Sequence, residues 1–251
     1  MVALSVNLDA VAHLRNRRNL PWPSVAGIAR AVLEAGADGI TVHPRPDERH
    51  IRRSDVAELQ ALLRAEFPRA EYNIEGYPSE DFLRLVEATR PDQVTFVPDG
   101  PDQSTSDHGW DVAASGELLE RASDVMKALG IRVSLFVDAD PAVPAAALGV
   151  GADRIELFTG PFGARYGTAA GTEALNLLSE TAEAAQAAAK AAGRPLGLNA
   201  GHDLTLENLP AFLEAIPHVD EVSIGHAMIA DALLTGYPEA VRRYRAVLAQ
   251  A

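Results

Sequence analysis

Short apolar runs rich in β-branched residues recur along the chain at 3–9 (ALSVNLD), 39–44 (GITVHP), 71–76 (EYNIEG) and 93–98 (QVTFVP). Four more follow at 131–140 (IRVSLFVDAD), 154–160 (RIELFTG), 195–201 (PLGLNAG) and 221–227 (EVSIGHA). Between them, apolar positions fall at helical spacing, as in 24–37, 54–67 and 79–90. Runs that are apolar at successive positions predict strands buried on both faces, in a parallel sheet covered by helices. Strict alternation of strand and helix predicts βαβ units. Eight of them in 251 residues favour an α/β fold of the closed (β/α)8 TIM-barrel kind over a doubly wound sheet. The first strand is followed by no GxGxxG, which weakens a dinucleotide-binding fold. No linker or compositional break divides the chain, so residues 1–251 read as a single domain. The segments 99–110 and 161–172 exceed what a barrel needs and read as insertions, a lid or an oligomer contact.

In such a barrel, chemistry collects at the C-terminal ends of the strands. There the sequence places Asn7 and Asp9, His43 and Arg45, Glu75, Asp138 and Asp140, Glu156, His202 and His226. The last two apolar runs share an ending, Gly201-His202 and Gly225-His226. That predicts two imidazoles at the mouth, with glycines that let backbone N–H groups approach a ligand. A strand-end carboxylate can equally cap the next helix, and a His there can serve only a neighbouring loop. The functional reading rests on the joint pattern, because several independent strands bring ionisable groups to one rim. Asp55, Asp111, Arg242, Arg243 and Arg245 read as solvated helix faces, and Trp22 as packing beside the first loop.

Composition narrows the chemistry. A formal charge of −13 argues against a nucleic-acid surface and against an anionic membrane, both of which need basic patches. An anionic substrate must therefore be drawn in by local positive groups. The absence of cysteine excludes disulfides and thiolate metal sites. The only lysines, Lys127 and Lys190, sit inside Ala-rich helical patterns, which argues against a Schiff base formed on the enzyme. The first residues read directly into a strand, and the longest uncharged stretch, 141–152, falls far short of the ~18 residues of a membrane helix. The expectation is a soluble, cytoplasmic protein. The His/Glu/Asp rim also admits a metal-dependent sugar-phosphate epimerase, isomerase or hydrolase, although no HxH pair or HExxH helix is present. A non-catalytic barrel that binds a phosphorylated ligand is the third reading.

The segments VNLDAVAHLRNRR, GADGITVHPRPDERHI, NIEGYP, VSLFVDAD, NAGHDLT and IGHA, spread from residue 6 to residue 227, resemble the pyridoxine 5′-phosphate synthase family. The resemblance implies a metal-free (β/α)8 barrel without cofactor, assembled as a homo-octamer (a tetramer of dimers). It implies condensation of 1-deoxy-D-xylulose 5-phosphate with 3-amino-2-oxopropyl phosphate, releasing phosphate and water as the pyridine ring closes. Carried over by position, His43 and Glu75 match the proton-accepting groups, His202 the proton donor and Glu156 the group that stabilises the transition state. Asp9, Arg45, His50 and Thr105 match contacts to the sugar phosphate. Asn7, Arg18, Asp203, Gly225 and His226 match contacts to the amino-ketone phosphate. The residue chemistry is compatible with this. The substrate brings its own amine, so no enzyme lysine is required, and several proton transfers suit His and carboxylates. Two phosphates suit arginines, a hydroxyl and bare N–H groups at helix N-termini.

Two positions depart from the family pattern. Ala10 stands where members often carry His, and Asp203 where they often carry Gly. A helical turn beginning after Asp9 would put His13 on the face of Ala10. His13 reads first as a surface or packing residue and second as a substitute imidazole. Asp203, followed by LTLENL, reads as the N-cap of the next helix, its carboxylate turned into the helix and its backbone left to hold the phosphate.

Overall fold

A computed structural model describes residues 1–18, 20–100, 103 and 105–250. Eight parallel strands close into a barrel in sequential order. They are β1 (Ala3–Asn7), β2 (Gly39–Val42), β3 (Glu71–Gly76), β4 (Gln93–Phe96), β5 (Arg132–Val137), β6 (Arg154–Phe158), β7 (Gly197–Gly201) and β8 (Glu221–Ile224). The expected (β/α)8 barrel is what the chain forms.

The strands are buried on both faces, as expected, but the two faces differ in chemistry. Leu4, Val6, Ile40, Val42, Ile74 and Val94 are fully or almost fully buried in one hydrophobic core with the helices. Each such side chain contributes ~1.5–3 kcal/mol. The intervening positions face the barrel axis and are polar. Ser5 Oγ lies 2.7 Å from Thr41 Oγ1, Asn73 donates to Thr41 Oγ1 at 3.3 Å, and Thr95 donates to Asn73 Oδ1 at 3.0 Å. Arg154 crosses to Asn199 and Glu221 at 2.9 and 3.2 Å. Alternation therefore exists in these strands, between a hydrocarbon outside and a hydrogen-bonded inside. It is hidden in the sequence because Ser, Thr and Asn have good or tolerable strand character.

The helical patterns hold. Segment 24–37 becomes α2 (Val25–Glu34), whose Ser24 side chain accepts from Gly27 N at 3.0 Å. Segment 79–90 becomes a helix at Glu80–Thr89, with Ser79 accepting from Phe82 N at 3.2 Å. Before α2, α1 (Asp9–Asn16) follows β1 at once. Segment 54–67 becomes α3 (Arg53–Glu66). The expected insertion at 161–172 is largely helical, the short helix Gly160–Gly163 followed by a long one at Ala169–Ala192. Segment 99–110 has no helix or strand among its described residues, and Pro101, Asp102 and Ser104 lie outside those residues. No described helix is long and apolar enough to cross a membrane.

Asp55 corrects the sequence reading. It lies in the first turn of α3, but it is only 4% exposed, and Arg15 of α1 is 6% exposed. The two form a buried two-pronged pair at 2.5 and 2.9 Å. Asp55 also accepts from Arg52 N at 2.7 Å, and Arg15 donates to the carbonyl of His50 at 3.1 Å. Trp22 is 62% exposed rather than packed. Arg242 and Arg243 pair with Glu239 on an exposed helix face, as expected.

Candidate active site

The strand ends converge on a cavity of about 430 Å³ at the C-terminal mouth. Its floor uses inward-facing strand positions, including Asn7, His43, Glu75, Phe136, Glu156 and Ser223. Asp9, Arg45, His50, Thr105, His202, Asp203, Gly225 and His226 complete the wall. Arg18 is the exception. It is exposed in the turn after α1, away from this chain's cavity, because the preceding turn commits Arg15 to the buried partner Asp55. Asp138 and Asp140 are also exposed, and Asp140 caps the backbone by accepting from Ala142 N at 2.8 Å.

The glycines before the two histidines make room for side chains. A Cβ on Gly201 would stand 2.4 Å from Glu156 Oε1, and one on Gly225 would stand 3.0 Å from Asn7. Beside the expected access for backbone N–H groups, the glycines have a packing role. Gly201 lets the Glu156 carboxyl lie in the cavity floor, and Gly225 lets Asn7 support the loop. Asn7 Oδ1 accepts from Asp9 N at 2.9 Å, and its amide donates to Asp9 Oδ2 at 3.1 Å. Asp9 Oδ1 in turn accepts from His43 N at 2.9 Å.

Burial sets the protonation of the floor. It pushes the Glu75 carboxyl well above the usual carboxylate range, and the neighbouring Glu156 and Asp9 charges push it further. It raises Glu156 to about 7, with His202 opposing. It lowers His43 well below the ordinary imidazole value, helped by Arg45 and His50. Both shifts favour the uncharged forms, a neutral His43 and a protonated Glu75, with Nδ1 and Oε2 3.8 Å apart. A neutral base beside a protonated acid suits proton transfer near neutral pH.

One consequence concerns stability. A carboxyl whose folded value exceeds its unfolded value favours folding below the unfolded value of 4.5, and that advantage is lost as pH rises through about 7. Glu156→Gln carries no charge to bury. Its stability relative to the wild type should rise between pH 5 and pH 8, read from denaturant midpoints at fixed protein concentration. A pH-independent difference would mean that Glu156 is not held protonated.

Asp203 is not an N-cap. The helix after β7 begins only at Leu209 (Leu209–Ala215), and Asn208 organises the approach. Thr205 N donates to Asn208 Oδ1 at 2.8 Å, and the Asn208 amide donates to the Asp203 carbonyl at 2.9 Å. The exposed Asp203 carboxylate instead stands 3.7 Å from His202 Nδ1.

Asp9, His43 and Glu75 offer ligand atoms within 4.8 Å of one another, the set a divalent cation would use. They come from separate βα units, so no local HxH spacing announces them. Both Asp9 oxygens already accept hydrogen bonds from Asn7 and His43.

Nothing in the local sequence singles out Asp99. It is buried and grips Arg45, whose other arm donates to the Gln103 carbonyl at 2.9 Å. Ser106 donates to the same Asp99 oxygen at 2.7 Å, so Arg45 is tied to the loop after β4. His13 lines the cavity with Ala10, and its charge acts on His50. His13 is exposed at the cavity edge, as the first reading has it, and close enough to the cavity for the second to be tested. His13→Ala should raise the Michaelis constant for the deoxyxylulose phosphate about fivefold at unchanged kcat, a loss of ~1 kcal/mol typical of one hydrogen bond. Steady-state kinetics showing no change would return His13 to the surface.

Fold and rim together define a (β/α)8-barrel enzyme with acid–base side chains, and no cysteine or lysine, around its cavity. The profile of the family described as pyridoxal phosphate biosynthesis protein PdxJ matches residues 4–250. Pyridoxine 5′-phosphate synthase of Brucella anthropi is 57% identical over 247 residues, covering 98% of each chain. The same-named protein of Mesorhizobium japonicum is 58% identical over 242 residues, covering 96% of each. The chain belongs to the pyridoxine 5′-phosphate synthase family. Among solved structures, the HMG-CoA lyase of Brucella melitensis (TM-score 0.61, 16% identity, 98% of both chains) shares the barrel fold. So does the YdjI aldolase of Escherichia coli (TM-score 0.61, 11% identity, 96% of this chain and 86% of that one).

Proposed function

We propose that this chain condenses 1-deoxy-D-xylulose 5-phosphate with 3-amino-2-oxopropyl phosphate to pyridoxine 5′-phosphate, releasing phosphate and water. The observation that carries the acid–base reading is the floor of the cavity, where burial favours a neutral His43 and a protonated Glu75, with Glu156 and His202 beside them. Neither lysine of the chain is among the residues lining the cavity, so the imine forms on the substrate's own amine. His43 is then the base available first. Glu75 serves as a base once it has passed its proton to His43, a transfer that a cationic iminium in the cavity favours, and His202 returns protons to departing oxygen. Glu156 opposes positive charge as it develops.

The sugar phosphate is held by Asp9, Arg45, His50 and Thr105. The amino-ketone phosphate is held by Asn7, Gly225 and His226 and by backbone at Asp203. His226 opens a ten-residue helix (His226–Thr235) whose first N–H groups suit an anion. Arg45 must share its guanidinium between Asp99 and the incoming phosphate. The reaction uses no cofactor and no metal. Residues 1–251 act as one domain in a cytoplasmic homo-octamer, a tetramer of dimers, whose partners are small phosphorylated molecules rather than nucleic acid or membrane.

The test is to mix the protein with both phosphates, with and without exhaustive chelation, and to look for pyridoxine 5′-phosphate. Product in both arms is expected. Product lost to chelator and restored by one metal would favour the metal-dependent sugar-phosphate reading and assign Asp9, His43 and Glu75 to the ion. No product in either arm would leave a binding barrel.

A further inference from the structure

His202 and Asp203 are consecutive non-glycine residues at φ +76° and +54°. L-residues rarely adopt this left-handed region, and two in a row must be held there by their surroundings. The holding groups are present. Thr159 Oγ1 donates to the Gly201 carbonyl at 2.7 Å and also to the His202 carbonyl. The Asn208 amide holds the Asp203 carbonyl at 2.9 Å. Gly163 makes the space, since a Cβ there would lie 2.6 Å from the Asp203 Cβ.

The outcome is an imidazole with a different polar neighbour at each nitrogen. Thr105 Oγ1 lies 3.1 Å from Nε2, and Asp203 Oδ2 lies 3.7 Å from Nδ1. The second distance is a charge contact that a small rotation closes into a hydrogen bond. The Phe158 ring stands edge-on to the imidazole at 5.2 Å between centroids and limits its swing. The other titratable groups facing this pair are Glu156 from β6 and His226 from the helix after β8. His202 holds the Asp203 carboxyl below its ordinary value against partial burial, and His226 adds to the effect. Asp203 is thus an anion at neutral pH.

A carboxylate at the rim of a cavity for two dianionic substrates repels them, the more so where water is excluded. It must return something. We infer that Asp203 is a positioning residue: its carboxylate keeps a hydrogen of His202 on Nδ1, so that the Nε2 lone pair faces Thr105 and the substrate, takes up a proton released in an earlier step and hands it to the departing oxygen. Which ring nitrogen carries the proton is set by the partner of the other. A carboxylate at Nδ1 accepts a hydrogen bond and cannot donate one, so it selects a single tautomer. Loss of that selection lets the hydrogen settle on Nε2, and the nitrogen free to take up a proton then faces away from the substrate.

This role rests on His202 being the proton donor in the function proposed above. Its test separates the two claims. Long-range ¹H–¹⁵N NMR of histidine-labelled protein, assigned against His202→Gln, reads the tautomer without turnover. Wild type should show the hydrogen on Nδ1. Asp203→Asn should shift it toward Nε2, lower kcat about tenfold and raise neither Michaelis constant. Asp203→Gly, for which a φ of +54° carries no strain, should do the same and guards against misfolding of the first variant. An unchanged tautomer or an unchanged kcat in both variants overturns the role. So does a loss that falls on the Michaelis constant of the amino-ketone phosphate, which would make the carboxylate a direct contact. If wild type forms no pyridoxine 5′-phosphate but the tautomer responds, the proposed reaction fails and the positioning stands.

Discussion

Glu75→Gln should leave a folded barrel that forms pyridoxine 5′-phosphate about 10²–10³-fold more slowly, a loss of ~3–4 kcal/mol of transition-state stabilisation. The amide keeps the size of the carboxyl and resembles its protonated form, which is the form burial favours in the empty cavity. Binding and stability should therefore change little, and the loss should fall on kcat. What the amide cannot do is give up and retake a proton beside His43, 3.8 Å away. The measurement is kcat and both Michaelis constants, with thermal unfolding as the control on the fold. Turnover within threefold of wild type would remove Glu75 from the proton transfers.

Asp55→Ala should destabilise the fold by ~3–5 kcal/mol, the cost of leaving a buried charge without its partner. Arg15 has no route to solvent at 6% exposure, and its guanidinium spends two contacts on Asp55. Arg15 also holds the carbonyl of His50, and the neighbouring Asn16 amide holds the same oxygen at 2.7 Å. The loop carrying His50 should loosen with the pair, raising the Michaelis constant for the sugar phosphate. Replacing both partners, Arg15→Met with Asp55→Leu, should recover most of the stability, since no charge is then stranded. Denaturant unfolding at fixed protein concentration reads both effects. A single variant within 1 kcal/mol of wild type would mean that water reaches Arg15 after all.

The two sites differ in how far the sequence disclosed them. Glu75 was legible because it ends an apolar run, and a strand end in a closed parallel barrel faces the mouth. Asp55 was misread because helical spacing shows where a residue sits on its own helix. It does not show that Arg15, 40 residues earlier, arrives on the same face.

Local rules determined a good deal. The eight runs became the eight strands, and Ser24 and Ser79 became caps, because strand burial and capping depend on neighbours within a few residues. The rim was placed correctly for Asn7, His43, Glu75, Glu156, His202 and His226 for the same reason. Tertiary structure decided what those groups are. Burial favours a protonated Glu75 and a neutral His43, and that burial comes from the neighbouring strands and loops as well as their own. Gly201 is glycine because Glu156 of the adjacent strand occupies its side-chain space. Asp203 faces His202 rather than a helix because Asn208, Thr159 and Gly163 fix its backbone from three directions. Charge state and side-chain room are properties of what surrounds a residue, and in a closed barrel most of those surroundings come from other strands.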